Sequence, residues 1–241
     1  MTDIYDALQR SQQSPDETEQ KPAFAPGEVP QGIPERMSTA LFDMYQQVLS
    51  QVRPNQGITL SFVGQRASSG SSVLSARFAQ LIANLVKKRV LYVNVNPSRT
   101  GAVIFAEVSA ARGLSEFIHG RADLPDCVRR AGQLDVTTLS LGDLEMVAPL
   151  LEAEAFEAVM RRLAEDYDLV VFDTPPTDET AEAIALAGKM DGVIMVVEAE
   201  NTRWQVAAKL RTRIEAQGGH VLGVILNRRK LHVPEFIYQR T

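Results

Sequence analysis

The residues most suited to chemistry stand where apolar runs end. Residues 64–72, GQRASSGSS, place Gly64, Gly70 and several serines between an apolar run and a segment of helical period. Such a turn points backbone N–H groups inward at the start of a helix, and small residues let the backbone approach an anion closely. Ser72 adds a hydroxyl suited to a magnesium ion. A second apolar run, DLVVFD, closes on Asp173, whose carboxylate would suit magnesium or its water if it faces that helix start. VLYVNVN ends in Asn94 and Asn96, and GVILN ends in Asn227. The candidate nucleotide site is therefore Gly64, Ser68, Ser69, Gly70, Ser71, Ser72, Asn94, Asn96, Asp173 and Asn227, with Ser72 and Asp173 facing a metal. Asp173 is the one acidic member, and no residue is assigned a catalytic role. Asp173 also has a plain structural reading, as a strand-end acceptor before the Thr174–Pro175–Pro176 turn. No nucleophile-elbow pattern points to a hydrolase.

Elements must bring these residues together. Short, β-branched apolar runs at 58–63, 90–95, 169–172, 192–197 and 221–226, with a weaker one at 134–139, read as strands. Segments of helical period at 73–86, 152–164, 179–187 and 202–216 separate them, and residues 38–52 form a helix ahead of the first strand. Continuous apolar strands alternating with helices predict an α/β fold, a mostly parallel sheet covered on both faces. Ligands of such sheets gather at the carboxyl ends of the strands, where the candidate residues stand.

Residues 11–36 hold five of the 12 prolines and almost no aliphatic side chains, so they read as a flexible linker. Residues 1–10, with IYDALQR, read as a short docking helix or a frayed end, and the main domain spans 37–241.

Bulk properties exclude other classes. Net charge of -5 does not suggest a nucleic-acid binder. The single cysteine, Cys127, suits a reducing compartment, and three scattered histidines make no zinc site. No apolar run reaches the ~20 residues that span a bilayer, and the N-terminus does not read as a signal peptide. Arg203, Lys209, Arg211, Arg213, Arg228, Arg229 and Lys230 make the last third locally basic, read as a solvated face rather than a membrane contact. Trp204 reads as a packing residue or a partner anchor.

Taken in order, the loop, VLYVNVN, DLVVFDTPP and GVILNR resemble the bacterial tyrosine kinases (BY-kinases), as does GLSEFIHGRADLPDCV between them. The resemblance runs from about residue 40 to the C-terminus. It implies a fold of the P-loop NTPase type, shared with the Min and partition ATPases, and a cytoplasmic domain working with polysaccharide co-polymerases in capsule and exopolysaccharide export.

Against that family the departures fall on charged positions. Ser71 stands where the family places a lysine. Asn94 and Asn96 stand where it places two aspartates, and Ser98 where it places a basic residue, with Arg99 beside it. Asparagine is neutral and offers one acceptor oxygen, so it serves poorly as a base or a magnesium anchor. In the ring-forming helix of the family, Ala40, Asp43 and Gln46 replace a glutamate and two arginines. Tyr238 stands alone where the family ends in a tyrosine cluster.

The resemblance and these losses predict a pseudokinase-like accessory subunit of exopolysaccharide synthesis or export. It would dock on a membrane-embedded polysaccharide co-polymerase at the inner face of the cytoplasmic membrane, with no cofactor or with weakly held ATP or ADP and magnesium. The alternatives are a nucleotide sensor that does not hydrolyse, and a weakly active ATP-dependent tyrosine autokinase. The autokinase would need another lysine, such as Lys87 or Lys88, yet both lie about 24 Å along the loop helix from Ser71.

Overall fold

The computed structural model describes residues 33–52, 56–95, 112–139, 151–152, 154–178 and 181–228. In chain order these form α1 (Glu35–Gln51), β1 (Ile58–Gly64), α2 (Ser71–Leu81), β2 (Val90–Asn94), α3 (Leu114–Ile118), α4 (Leu124–Cys127), β3 (Arg129–Ala131) and β4 (Leu134–Thr138). Then come α5 (Glu154–Asp166), β5 (Leu169–Asp173), α6 (Glu182–Ala187), β6 (Gly192–Glu198), α7 (Trp204–Ala216) and β7 (Val221–Asn227).

The seven strands lie in the order β3-β4-β2-β5-β1-β6-β7. All pairings are parallel except β3 with β4. Every residue of β1, β2 and β5 is buried, as strands covered on both faces require. On one face, Leu60, Phe62, Tyr92, Val171 and Ile194 meet α1 and α2. Phe78 of α2 centres this layer, its ring 5.5 Å from that of Phe62 and 6.3 Å from that of Tyr45 on α1. On the other face, Val93, Val170 and Phe172 pack on Phe156 and Leu163 of α5, while Val193 and Val197 pack on Leu210 and Ile214 of α7.

The six strands read from sequence are all present, each within about a residue of its expected limits. Three differences have simple causes. Helix α1 begins at Glu35, just after Pro34, so the last two residues of the 11–36 linker are helical. Strand β3 went unread because its three residues, Arg-Arg-Ala, carry no apolar signal and are largely exposed. Helices α3 and α4 have five and four residues, too few to show a period. Residues 1–32, Asn96, Ser98, Arg99, Arg229, Lys230 and Tyr238 lie outside the described residues. Among the described residues no helix is long and apolar enough to cross a membrane. Ala40, Asp43 and Gln46 are exposed along α1, whereas Trp204, the first residue of α7, packs half-buried against the core.

Candidate nucleotide site

Strand β1 delivers the loop to the middle of the sheet, flanked by β5 and β6. After Gly64 the chain passes through a 3-10 turn at Ala67–Ser69 and reaches Gly70, whose φ of 79° lies in the left-handed region. That residue redirects the chain into α2, and no side chain caps the amino end of this helix. The amides of its first turn are thus left to an anion or to water.

Two glycines are required by this geometry. A Cβ on Gly64 would lie 2.3 Å from the Ser69 hydroxyl and 2.7 Å from that of Ser71, so the loop folds back on its own strand. A Cβ on Gly70 would lie 2.4 Å from the Asn227 amide nitrogen, which itself donates to the Ser69 carbonyl at 2.8 Å. Gly70→Ala should therefore cost about 1–2 kcal/mol, from the positive φ and the collision together. A urea titration checks this, and an unchanged midpoint would show that the loop adjusts freely.

Serines of the loop divide by direction. Ser69 and Ser71 are buried, at 1% and 6% exposure, and Ser69 Oγ has no hydrogen-bond partner. Ser68 is exposed and its hydroxyl donates to Glu198 at 3.1 Å, at the end of β6. Glu198 also lies 3.5 Å from Arg228, which follows β7. Sequence reasoning passed over Glu198, since a glutamate closing an apolar strand reads as solvated. Its carboxylate lies against the Gly70 loop, shared between the Ser68 hydroxyl and the Arg228 guanidinium.

Asp173 and Asn94 are paired in register on adjacent strands, with the start of α2 packed above that face. Tyr92 Oη donates to Asp173 Oδ2 at 2.9 Å. Oδ1 of Asp173 is buried and has no hydrogen-bond partner, although the Ser72 and Ser75 hydroxyls lie near enough to draw the pKa down. Burial outweighs them and raises the Asp173 carboxyl to about 6. Burial and the neighbouring Asp173 push the Tyr92 hydroxyl well above its usual value. Tyr92 was missed from sequence because an aromatic inside an apolar strand reads as core.

The structure thus gathers Gly64, Ser68, Ser69 and Gly70 in one loop with Ser71 and Ser72 opening its helix, Asn227 of β7 bracing it, and Asn94 and Asp173 on the strands beneath that helix. Asn227 braces the loop through its side chain rather than leaving its amide free for a ligand. The magnesium and nucleotide that the fold implies fit in part: the orphaned Asp173 oxygen near Ser72 suits one magnesium water or ligand. Among the described residues no group of three metal-binding side chains exists, so phosphates and water would supply the remaining positions. Lys87 and Lys88 precede β2 and so lie at the opposite end of the sheet.

No protein-family model matches the chain. It is 25% identical over 175 residues to the putative tyrosine-protein kinase CapB of Staphylococcus aureus, covering 72% of this chain and 76% of that protein. The kinase domain of Escherichia coli tyrosine kinase ETK superposes with a TM-score of 0.70 at 22% identity, covering 82% of this chain and 78% of that one. The septum site-determining protein MinD of Pyrococcus horikoshii OT3, complexed with Mg-ADP, gives 0.57 at 18% identity, covering 76% of each. With the loop, the strand-end residues and the sheet order in place, the chain is similar to bacterial tyrosine kinases over about 70% of its length and has their fold, on a sheet common to the MinD-like P-loop ATPases.

Proposed function

We propose that this chain is a regulatory subunit of exopolysaccharide or capsule synthesis or export that transfers no phosphate. It acts as a scaffold at the inner face of the cytoplasmic membrane, seated on a membrane-embedded polysaccharide co-polymerase. One observation carries the reading. The loop keeps the backbone of a phosphate cradle, yet Ser71 is buried where a lysine would reach the phosphates, and Glu198 holds Ser68. The fold supplies a rigid platform, and its relative CapB is named as a kinase. The test is co-purification of a defined co-polymerase with the intact chain from the membrane fraction, against a chain lacking residues 1–32, which leaves α1 whole. Recovery of the co-polymerase supports the scaffold. A chain that stays soluble and alone in cells expressing the co-polymerase refutes it.

A second reading has its own support in the uncapped start of α2 and the orphaned Asp173 oxygen near Ser72. The loop then holds ADP or ATP weakly without hydrolysis, and occupancy biases docking. A melting-temperature rise of several degrees with millimolar Mg-ADP, lost in Gly70→Ala, is the expected result of this reading. No shift at that concentration leaves the bare scaffold.

A further inference from the structure

At the amino ends of the strands, opposite the Gly70 loop, the protein has a cavity of about 590 Å³ that the proposed scaffold does not use. We propose that it is a second ligand site, for a phosphate-bearing molecule. Lys87, Lys88, Arg89, Arg130 and Arg162 line it, while Leu124, Pro125 and Val128 give it an apolar side.

The charges are not equivalent. Arg130 lies 2.8 Å from Asp135, Arg162 lies 2.8 Å from Asp166, and Arg89 lies 3.7 Å from Asp168. Tyr167 Oη donates to Asp135 at 3.1 Å, fixing the carboxylate that fixes Arg130. Two carboxylates therefore orient the Arg130 and Arg162 guanidinium groups, while Asp168 accepts from the Arg89 backbone N–H at 2.8 Å. Lys87 and Lys88 are exposed, and neither has a charged partner among the described residues.

The backbone points the same way. Helix α2 ends in a π-helical turn over Ile82–Val86, a form that gathers at functional sites. Lys87 follows with φ 59°, where glycine would be the ordinary residue. The chain thus sets three consecutive cations on the cavity and accepts a lysine at a strained position. Arginine forks match phosphate oxygens in pairs, and lysine supplies point charge, so phosphate fits this lining better than a single carboxylate does. Its source is a soluble phosphorylated metabolite or a phospholipid headgroup, and the experiment separates them.

The intact protein is titrated with inorganic pyrophosphate, followed by amide NMR, and floated with vesicles containing phosphatidylglycerol. Binding in the first assay alone assigns the site to a soluble ligand, and in the second alone to a headgroup. In whichever assay binds, Lys87→Gln/Lys88→Gln should weaken affinity about tenfold, with an unchanged thermal melt. The control Lys209→Gln, on exposed α7 surface, should leave it within about twofold. The Gly70 loop also presents amides to anions, so Gly70→Ala is titrated alongside. Binding lost in Gly70→Ala but kept in the double lysine variant, or absent from both assays, overturns the proposal.

Discussion

Incubated with Mg-ATP, the purified chain should form phosphotyrosine at least about 10³-fold more slowly than an active kinase of the same fold. In phosphoryl transfer the protein contributes positioning and charge stabilisation, so cations and carboxylates at the phosphates are most of the catalyst. A charge-assisted contact of the kind a loop lysine makes contributes about 1.5–3 kcal/mol, and each ~1.4 kcal/mol is tenfold in rate. Ser71 makes no such contact, being buried against Gly64, and Asn94 brings a neutral amide to the strand end where a carboxylate would bind metal. The check is label transfer from ATP, with CapB assayed in parallel. A rate within about tenfold of CapB would overturn the scaffold reading in favour of an autokinase with a cation from elsewhere.

Asp173→Asn should stabilise the metal-free protein at pH 7.5 by roughly 1–3 kcal/mol and leave it nearly unchanged at pH 4. Burial raises the folded-state pKa of this carboxyl to about 6, against 3.8 for an ordinary aspartate. Between those values the folded chain keeps a proton that the unfolded chain releases, so stability falls as pH rises through the window. The loss is complete above about pH 6 and amounts to about 3 kcal/mol at ~1.4 kcal/mol for each tenfold shift. Asparagine removes the buried charge while its amide oxygen still accepts from Tyr92. Asn94→Asp should act in the opposite sense, placing a second carboxylate at the paired register position and destabilising the chain above pH 6. Urea midpoints at the two pH values test both substitutions. If Asp173→Asn destabilises at pH 7.5 without metal, the carboxylate is a structural acceptor and the site reading fails. A chain that retains a buried charge at this cost, beneath the start of α2, holds a group suited to a cation.

Most of the sheet was legible because β1, β2, β5, β6 and β7 are apolar runs, and the longer helices between them keep a helical period. The loop was legible because Gly64 and Gly70 bracket small residues where one signal gives way to the other. Side chains whose role depends on a distant partner were not. Tyr92 looks like any core aromatic until β5 brings Asp173 beside it, and Glu198 gains meaning only when β6 lies against the loop. Asn227 reads from sequence as a ligand contact, and only the order β1-β6-β7 brings its amide to the Ser69 carbonyl. Lys87 and Lys88 show no cavity in sequence, since its walls come from residues near 124–135 and 162–167 that only the fold brings beside them.

That prop has a mechanical consequence. Asn227 is the last residue of β7, which pairs with β6 alone among the described strands and is mostly half-buried. A sheet margin opens more readily than its centre, so transient peeling of β7 withdraws the amide that steadies the Ser69 carbonyl. The Gly70 loop, though rooted in an interior strand, is thus only as durable as the sheet's border. Deuterium uptake at Ser69 and Gly70 should keep pace with that of β7 rather than with that of β1.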